Sequence, residues 1–255
     1  MKLYNNLKNI FPKPFKINVY YGIIKFRSYF DLGNTVACNI CDKHYSNFAD
    51  FNNRRNVMCP NCFSLERHRL LYDYLKTQTD IFSGGKHILH FAAEKCLAKV
   101  LEKNNDYLTA DLMNQFIHLI EVKPKYIMSV TNISFDDNLF DYVICNHVLE
   151  HVQNDILAIS QIYSVLKPGG QAILQVPINF SSKITLEEIS LTRKERRMLY
   201  GSPDHIRYYA EGDYLERLSS AGFSVAIADY EFSDDIDKHK IDQNEKIYLI
   251  RKPIN

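Results

Sequence analysis

The sequence has no excess of charge of either sign. Its 255 residues include 31 Lys and Arg against 30 Asp and Glu, which gives a formal net charge of +1. Because a strongly basic surface is the usual footprint of a nucleic-acid-binding protein, this balance argues against nucleic acid as the default partner. The charge is nevertheless uneven, since residues 1–30 contain no acid and carry Lys2, Lys8, Lys13, Lys16, Lys25 and Arg27.

Long apolar runs are also missing. No stretch approaches the roughly 18 apolar residues that a membrane-spanning helix needs. Pro12 and Pro14 interrupt any apolar segment near the N-terminus that could serve as a secretory signal. We therefore expect a cytoplasmic protein with reduced thiols, whose six cysteines are metal ligands or buried thiols rather than disulfides.

The G-x-G-x-x-G fingerprint of dinucleotide-binding proteins is absent as well. From residue 86 onward, however, short apolar runs alternate with amphipathic segments. This pattern predicts an α/β fold with a doubly wound, mainly parallel seven-stranded sheet that is covered on both faces. The predicted strands are 87–91, 107–110, 126–130, 140–145, 171–176, 223–228 and 247–250.

The chain divides into three regions. Residues 1–34 form a basic, aromatic arm, residues 35–83 a cysteine-rich module with a linking helix, and residues 84–255 the α/β domain. Ser64 is the predicted N-cap of the linking helix. The arm either packs on the body of the protein or forms an electrostatic foot for a membrane surface, and the sequence leaves both interpretations open.

Two C-x-x-C pairs lie in the second region, seventeen residues apart. A C-x-x-C turn lets two thiolates converge on one ion, and two such turns fill the tetrahedral shell of zinc. A filled shell leaves no position for water or substrate, so the predicted zinc is structural. The ligands are Cys38, Cys41, Cys59 and Cys62.

Candidate ligand-binding residues follow the first two strands of the predicted sheet. The first strand leads into His90-Phe-Ala-Ala-Glu94, at the edge of the sheet where ligands of doubly wound folds bind. Asp111 ends the second strand about twenty residues later, where a carboxylate can accept hydrogen bonds from both hydroxyls of a ribose.

Two further stretches resemble the class I S-adenosylmethionine (SAM)-dependent methyltransferases, in the methyltransferase type 11-like group. They are Phe140-Asp-Tyr-Val-Ile-Cys-Asn-His-Val-Leu-Glu-His151 and Leu166-Lys-Pro-Gly-Gly170. The two Cys pairs, Ser64-Leu-Glu-Arg-His-Arg69 and Asp204-His-Ile-Arg-Tyr208 resemble a narrower branch, in which a zinc knuckle precedes the methyltransferase domain. The resemblance covers most of the chain from about Cys38 to Ile250 and implies the Rossmann-like methyltransferase fold.

The resemblance also implies a set of SAM-binding residues. One group lies beside the methionine part, one holds the ribose, one flanks the adenine and one faces the cofactor from the fourth strand. In that order they are His90, Phe91, Ala92, Ala93 and Glu94; Asp111 with Leu112; Asn132 and Ile133; and Asn146 and His147. Two positions depart from the family, because Ala92-Ala93-Glu94 replaces its G-x-G and Ser129 stands where an acidic residue is common.

The catalytic residues are hypotheses. An oxygen or nitrogen acceptor can need a base, and Asp204 beside His205 could orient an imidazole for that role. Arg207 would bind an anionic group of the substrate, and His147 is a second candidate base. The alternative is a surface loop without a catalytic role. Residues 178–200 form either part of the acceptor wall or a solvated helix.

The sequence also contains one competing motif and is compatible with two other functions. His147-Val-Leu-Glu-His151 matches the H-x-x-E-H pattern of zinc proteases, but it directly follows an apolar strand and belongs to the longer methyltransferase pattern. The resemblance implies a sugar hydroxyl or a lipid-linked glycan intermediate as acceptor. The alternatives are an RNA methyltransferase and a non-catalytic binding protein, and the basic face of the former would comprise Arg54, Arg55, Arg67 and Arg69. The oligomeric state is not predicted.

Overall fold

The computed structural model describes residues 13–112, 122–188, 190–242 and 244–254. Its strands are β1 Leu32–Cys38, β2 Lys43–Tyr45, β3 Ala49–Phe51, β4 Arg54–Met58, β5 His87–Phe91, β6 Asp106–Asp111, β7 Tyr126–Ile127, β8 Phe140–Cys145, β9 Leu166–Ile173, β10 Leu186–Glu187, β11 Arg207–Tyr208, β12 Ser224–Ile227 and β13 Tyr248–Arg251. Its helices are α1 Lys13–Ser28, α2 Glu66–Gln78, α3 Lys95–Leu101, α4 Asp155–Val165, α5 Arg193–Tyr200, α6 Glu211–Ser220 and α7 Ile236–His239, with a 3₁₀ turn at Leu149–His151.

Seven strands form the central sheet in the order β12-β13-β9-β8-β5-β6-β7. Strands β5 to β9 pair in parallel, and β13 runs antiparallel to both β9 and β12. The chain starts at the centre with β5, winds outward through β6 and β7, and returns to continue through β8 and β9. The direction of winding therefore reverses between β5 and β8, which confirms the predicted doubly wound α/β fold.

The central strands are apolar along their whole length because both faces of the sheet are covered. Leu89 and Val143 point into one buried cluster, which includes residues of α4 and α6. Ile88 and Ile144 point into the other, which includes residues of α2 and α3. Successive residues of a strand face opposite sides of a sheet, so a continuous apolar run is required wherever helices pack on both sides.

The cysteine module, residues 35–83, shares the second of these clusters with the sheet. Cys38, Ile40 and Phe48 of the module lie in the same buried cluster as Ile88 of β5. The short strands β1 to β4 form two-stranded hairpins that are too small to enclose a core of their own. The module is thus stabilised by packing against the α/β domain.

Arg69 of α2 joins the module to the C-terminal part of the chain. Its side chain is fully buried, and its Nε donates to the carbonyl of His239 at 2.6 Å. The Nη atoms donate to the carbonyls of Ser64 at 2.8 Å, Val57 at 2.9 Å and Lys240 at 3.1 Å. One guanidinium therefore pairs backbone carbonyls from three separate segments.

We expect Arg69→Met to be strongly destabilising. The substitution leaves four backbone carbonyls without this donor, and breaking a buried charged network costs about 3–5 kcal/mol. Urea unfolding should show the loss, while Arg55→Met, at an exposed position on β4, serves as the matched control. Equal free energies of unfolding for the two variants would contradict a bridging role for Arg69.

The predicted helix cap at Ser64 is wrong. Ser64 is not the N-cap of α2, because Leu65 takes that position and its backbone N–H donates to Nδ1 of His68 at 3.1 Å. The Ser64 hydroxyl instead contacts the sulfur of Cys38 at 3.2 Å. The Lys167–Gly170 stretch belongs to β9, since Gly169 and Gly170 exchange backbone hydrogen bonds with Lys252. The register of β9 against β8 shifts there, and a φ of 81° at Gly169 accommodates the irregularity.

The predicted arm contains the helix α1. Tyr21 is buried, and its ring centroid lies 5.0 Å from that of Phe63 in the cysteine module. Phe26 and Phe30 are 64% and 79% exposed. Across the described ranges, none of the helices combines the length and the apolar character needed to cross a bilayer. A membrane contact of the arm stays a prediction.

Candidate functional site

The carboxyl ends of β5, β6 and β8 meet at one edge of the sheet. Phe91 at the end of β5 pairs with Ala110 of β6 and with Cys145 of β8. The residues that follow each strand are therefore neighbours at the switch point. This register brings the predicted cofactor residues of three separate segments to one place, as expected for a doubly wound sheet.

The loop after β5 keeps a backbone shape that usually requires glycine. Ala92 has a φ of 49°, in the left-handed region, and its N–H donates to the carbonyl of Ala110 at 3.0 Å. Ala93 is buried. The side chains of His90 and Phe91 are buried within β5 itself. Of the predicted methionine-side residues, Ala92 and Glu94 are thus the ones that are partly exposed at the edge.

Glu94 carries a negative charge at this edge. Burial opposes its ionisation, but hydrogen bonding to His90 and the neighbouring imidazoles lower the pKa of Glu94 to about 2. Its Oε2 lies 3.0 Å from Nε2 of His90, and its Oε1 lies 3.7 Å from Nε2 of His68. Tyr107 completes the chain through a 2.7 Å hydrogen bond to Nδ1 of His90. The buried histidines of β5 and α2 therefore fix the Glu94 carboxylate.

Asp111 ends β6 as predicted. Its Oδ1 accepts a hydrogen bond from the N–H of Leu112 at 2.7 Å, and burial raises the pKa of the Asp111 carboxyl. Within the part of the chain that the structure describes, no ion pair holds this carboxylate. Asn132 is exposed, whereas Ile133 is buried in the core.

The end of β8 presents Asn146 and His147. Oδ1 of Asn146 accepts a hydrogen bond from the N–H of Gln175 at 3.3 Å, and the N–H of His147 donates to the Gln175 carbonyl at 2.7 Å. His147 has a φ of 53°, which is uncommon for a residue with a side chain. Its Nδ1 lies 3.3 Å from Oε1 of Glu150. Pairing with the segment after β9 thus holds this left-handed corner.

The predicted Asp204–His205 pair is wrong. The Asp204 carboxylate forms an ion pair with Arg193 at 2.6 Å and is largely exposed. Nδ1 of His205 instead makes a 2.9 Å hydrogen bond to the carbonyl of Tyr200, and its Nε2 lies 3.9 Å from Glu150. Burial lowers the pKa of His205. Although Asp204 precedes His205 in the sequence, its side chain points toward Arg193 of α5 and away from the imidazole.

The predicted substrate clamp at Arg207 is also wrong. The Arg207 side chain is fully buried. Its nitrogens donate to the carboxylate of Glu187 and to backbone carbonyls of the 3₁₀ turn and the segment after it, at Leu149, Val152 and Gln153. All five N–H groups of a guanidinium are accounted for by such partners. Arg207 holds β10, β11 and the corner after β8 together, so it cannot bind substrate.

A cavity of about 240 Å³ opens beside His147. Its walls come from the cysteine module, the segment after β9, β11 and the segment before β13. The lining residues are Arg54, Glu66, Arg67, His147, Val176, Pro177, Ile178, Phe180, Tyr208, Asp242, Asn244, Glu245, Lys246 and Tyr248.

The residues just before β13 were missed by sequence reasoning. Burial raises the pKa of Glu245 in this cavity, and Nζ of Lys246 lies 4.9 Å from the ring centroid of Phe180. A usable signal existed, because β13 runs antiparallel to its neighbours. The start of such a strand lies at the same edge as the carboxyl ends of the parallel strands. The polar residues Asp242, Asn244, Glu245 and Lys246 therefore reach the ligand edge.

The four predicted zinc ligands converge. Their sulfur atoms all lie within 4.8 Å of one another, with 3.5 Å between Cys38 and Cys62 and 3.7 Å between Cys41 and Cys59. Zn–S bonds of about 2.3 Å at tetrahedral angles place sulfur atoms roughly 3.8 Å apart, whereas a disulfide requires about 2.05 Å. The cluster fits a zinc ion. Cys96 and Cys145 are buried thiols, as predicted.

The structure bears on two alternative interpretations. The predicted basic face for RNA is reduced, because Arg69 is buried and Arg54 forms an ion pair with Glu66 at 3.0 Å, while Arg55 stays exposed. The zinc-protease pattern needs two histidines one turn apart on a helix. His147 precedes the short 3₁₀ turn that contains His151, so this helical spacing is not formed.

The fold and the site are those of a class I methyltransferase. The doubly wound sheet carries an acidic residue, Asp111, at the end of the second strand of the α/β domain. A profile described as the methyltransferase domain matches residues 80–226, more than half of the chain. The chain therefore belongs to the methyltransferase domain family, which confirms the methyltransferase domain inferred from the sequence motifs. The type 11-like group and the branch with a preceding zinc knuckle stay predictions.

Individual relatives are distant. Demethylmenaquinone methyltransferase from Staphylococcus carnosus is 24% identical over 129 residues, which cover 44% of this chain and 52% of that protein. The chain thus matches about half the length of this relative. A SAM-dependent methyltransferase from Mesorhizobium loti is 15% identical, with a TM-score of 0.48 and coverage of 67% and 92% of the two chains. Burkholderia thailandensis 1,6-didemethyltoxoflavin-N1-methyltransferase, with bound 1,6-didemethyltoxoflavin and S-adenosylhomocysteine, is 14% identical, with a TM-score of 0.47 and coverage of 74% and 78%.

Proposed function

We propose that this chain transfers a methyl group from SAM to an acceptor held in the cavity beside His147. The observation that carries the proposal is Asp111, a half-buried carboxylate at the end of β6, next to the switch point of a methyltransferase-family sheet. When bound, SAM supplies a methyl group already activated by its sulfonium. The residues of the chain then need to bind, align and exclude water.

Each residue of the proposed SAM site matches one chemical part of the cofactor. Asp111 would accept hydrogen bonds from the ribose hydroxyls. Glu94 is anionic at the neighbouring loop and would balance the positive charge of the methionine part. Ala92 and Ala93 are small, so backbone and ligand can approach closely there. Asn132 is exposed beside the same edge and would contact the adenine.

We assign a structural zinc ion to the four cysteines, and this bears on the acceptor site. Arg54, Glu66 and Arg67 of the cysteine module line the cavity. The metal would therefore fix one wall of the acceptor site while taking no part in the chemistry, because four thiolates fill its coordination shell.

The lining favours a polar acceptor with hydroxyl groups, such as a sugar or a glycan intermediate. Both carboxylates and cations line the cavity, with Glu245 near Arg67 and His147. Phe180 and Pro177 supply flat apolar surface against which a sugar ring could pack. Hydroxyls both donate and accept hydrogen bonds, so they match walls that carry both kinds of group.

Labelled methyl transfer tests this proposal. The zinc-loaded chain is incubated with [methyl-¹⁴C]SAM and separate pools of nucleotide sugars, lipid-linked glycans and RNA, with Asp111→Ala as the control. We expect label in a glycan pool that depends on Asp111. Label confined to ribonuclease-sensitive material would replace this acceptor with RNA. No transfer above the Asp111→Ala background in any pool would favour a non-catalytic binding protein.

A further inference from the structure

Three metal-ligating side chains converge next to the corner after β8. One ligand atom from each of Glu150, His151 and His205 lies within 4.8 Å of the other two. The His151 and His205 rings pack edge to face with centroids 4.8 Å apart. The last two residues of the H-x-x-E-H motif thus meet a histidine about fifty residues further along the chain.

Backbone carbonyls orient both imidazoles for coordination. Nδ1 of His151 makes a 3.0 Å hydrogen bond to the carbonyl of Asp204, and Nδ1 of His205 makes one of 2.9 Å to the carbonyl of Tyr200. A carbonyl only accepts, so each Nδ1 carries the proton and each Nε2 keeps its lone pair. This is the arrangement of metal-binding histidines, whose second nitrogen donates to a carbonyl or carboxylate.

Glu150 supplies an independent observation. Its side chain is 1% exposed, and within the described residues neither of its oxygens has a hydrogen-bond partner. Nδ1 of His147 lies 3.3 Å from its Oε1, and Nε2 of His205 lies 3.9 Å from the same oxygen. A buried carboxylate without hydrogen bonds is strongly unfavourable unless a cation compensates its charge.

We infer that Glu150, His151 and His205 bind one divalent transition-metal ion. Two imidazoles and one carboxylate suit ions such as Mn²⁺, Fe²⁺ and Zn²⁺ and leave coordination positions open. This site is separate from the four cysteines, whose soft thiolates favour zinc over the harder ion Mn²⁺. The ion would satisfy the Glu150 oxygens, and the two ring nitrogens would complete its protein ligands.

The position of the site suggests what the open positions hold. His147 lines the acceptor cavity and contacts Glu150, so the ion would lie close to the cavity wall. Given the proposed methyl transfer, on which this step rests, an acceptor hydroxyl that coordinates the ion would have a lowered pKa. The acceptor would then be ionised near neutral pH without a strong base.

Manganese titration tests the inference. The full-length zinc-loaded chain is titrated with Mn²⁺ alone, and free Mn²⁺ is counted by electron paramagnetic resonance, because this hard ion does not displace zinc from thiolates. We expect about one Mn²⁺ per chain with micromolar affinity. His151→Ala should weaken binding by more than about tenfold, whereas His44→Ala, which also removes an exposed histidine, should leave it unchanged.

A second variant and a second readout keep the outcomes distinct. Glu150→Gln preserves the shape of the side chain and should also lose Mn²⁺, with circular dichroism confirming that it is folded. Equal Mn²⁺ affinity in His151→Ala and His44→Ala, or no bound Mn²⁺ in the parent chain, would overturn the inference. Titration with S-adenosylhomocysteine is run in parallel. Bound Mn²⁺ without cofactor binding would retain the metal site and reject the methyl-transfer proposal.

Discussion

Cys59→Ser is expected to abolish zinc binding and to unfold the cysteine module. Cys59 is fully buried, and its backbone N–H and carbonyl bond to Ser64 and Phe63, so ligand and turn form one unit. Structural zinc contributes roughly 10–16 kcal/mol of apparent binding energy in small zinc domains, and this energy is lost with the site. Metal analysis should find one zinc per parent chain and none in the variant, together with a lower melting temperature.

The control for this substitution is Cys96→Ser. Cys96 is a buried thiol outside the four-cysteine cluster. Its replacement should destabilise the chain modestly by burying a hydroxyl, but it should retain the zinc. A parent chain that binds no zinc, or equal zinc content in Cys59→Ser and Cys96→Ser, would contradict the assignment.

The destabilising effect of zinc loss should also extend beyond the cysteine module. The module shares a buried cluster with β5 and β8 and contributes three residues to the acceptor cavity. Arg69 sits between the cysteines and α7, and its positive charge would partly offset the net negative charge of a zinc ion bound by four thiolates. We therefore regard the module as an integral wall of the enzyme rather than a detachable domain.

The sheet could be predicted because its information is local and redundant. Each central strand is an apolar run bounded by polar residues, and Asp111 marks the end of one of them. The C-x-x-C pairs were equally direct, since zinc coordination constrains both residue type and spacing. Strands and cysteine pairs depend on the periodicity and residue types of short segments, which can be read directly from the sequence.

The contacts of individual polar residues were harder to predict. Arg207 and Asp204 are chemically suited to an active site, yet one is buried among carbonyls and the other pairs with Arg193. Likewise, the Ser64 hydroxyl serves the cysteines rather than a helix end. In each case the deciding partner is distant in the sequence or lies on another element, so spacing alone carried no signal.

The proposed metal site shows the same limit. Glu150 and His151 stood in a recognised motif, but the helix that the motif requires is reduced to a 3₁₀ turn. The third member, His205, reaches the cluster only because the segment after α5 folds back over the corner. The sequence predicts a pair between His205 and its neighbour Asp204. In the structure His205 lies beside Glu150 and His151, some fifty residues earlier in the chain.

The central claim is that this chain binds the methyl donor at Asp111. Calorimetric titration with S-adenosylhomocysteine tests it most directly, using the parent chain, Asp111→Ala and Asp106→Ala. The control removes an exposed aspartate from the opposite end of the same strand, β6. Two hydrogen bonds to a carboxylate are together worth about 3 kcal/mol or more, so Asp111→Ala should lose at least about 100-fold in affinity.

We predict micromolar binding in the parent chain and in Asp106→Ala, and no measurable binding in Asp111→Ala. Absence of binding in a folded, zinc-loaded parent chain would contradict the central claim. Equal affinity in Asp111→Ala and Asp106→Ala would contradict the assigned cofactor site.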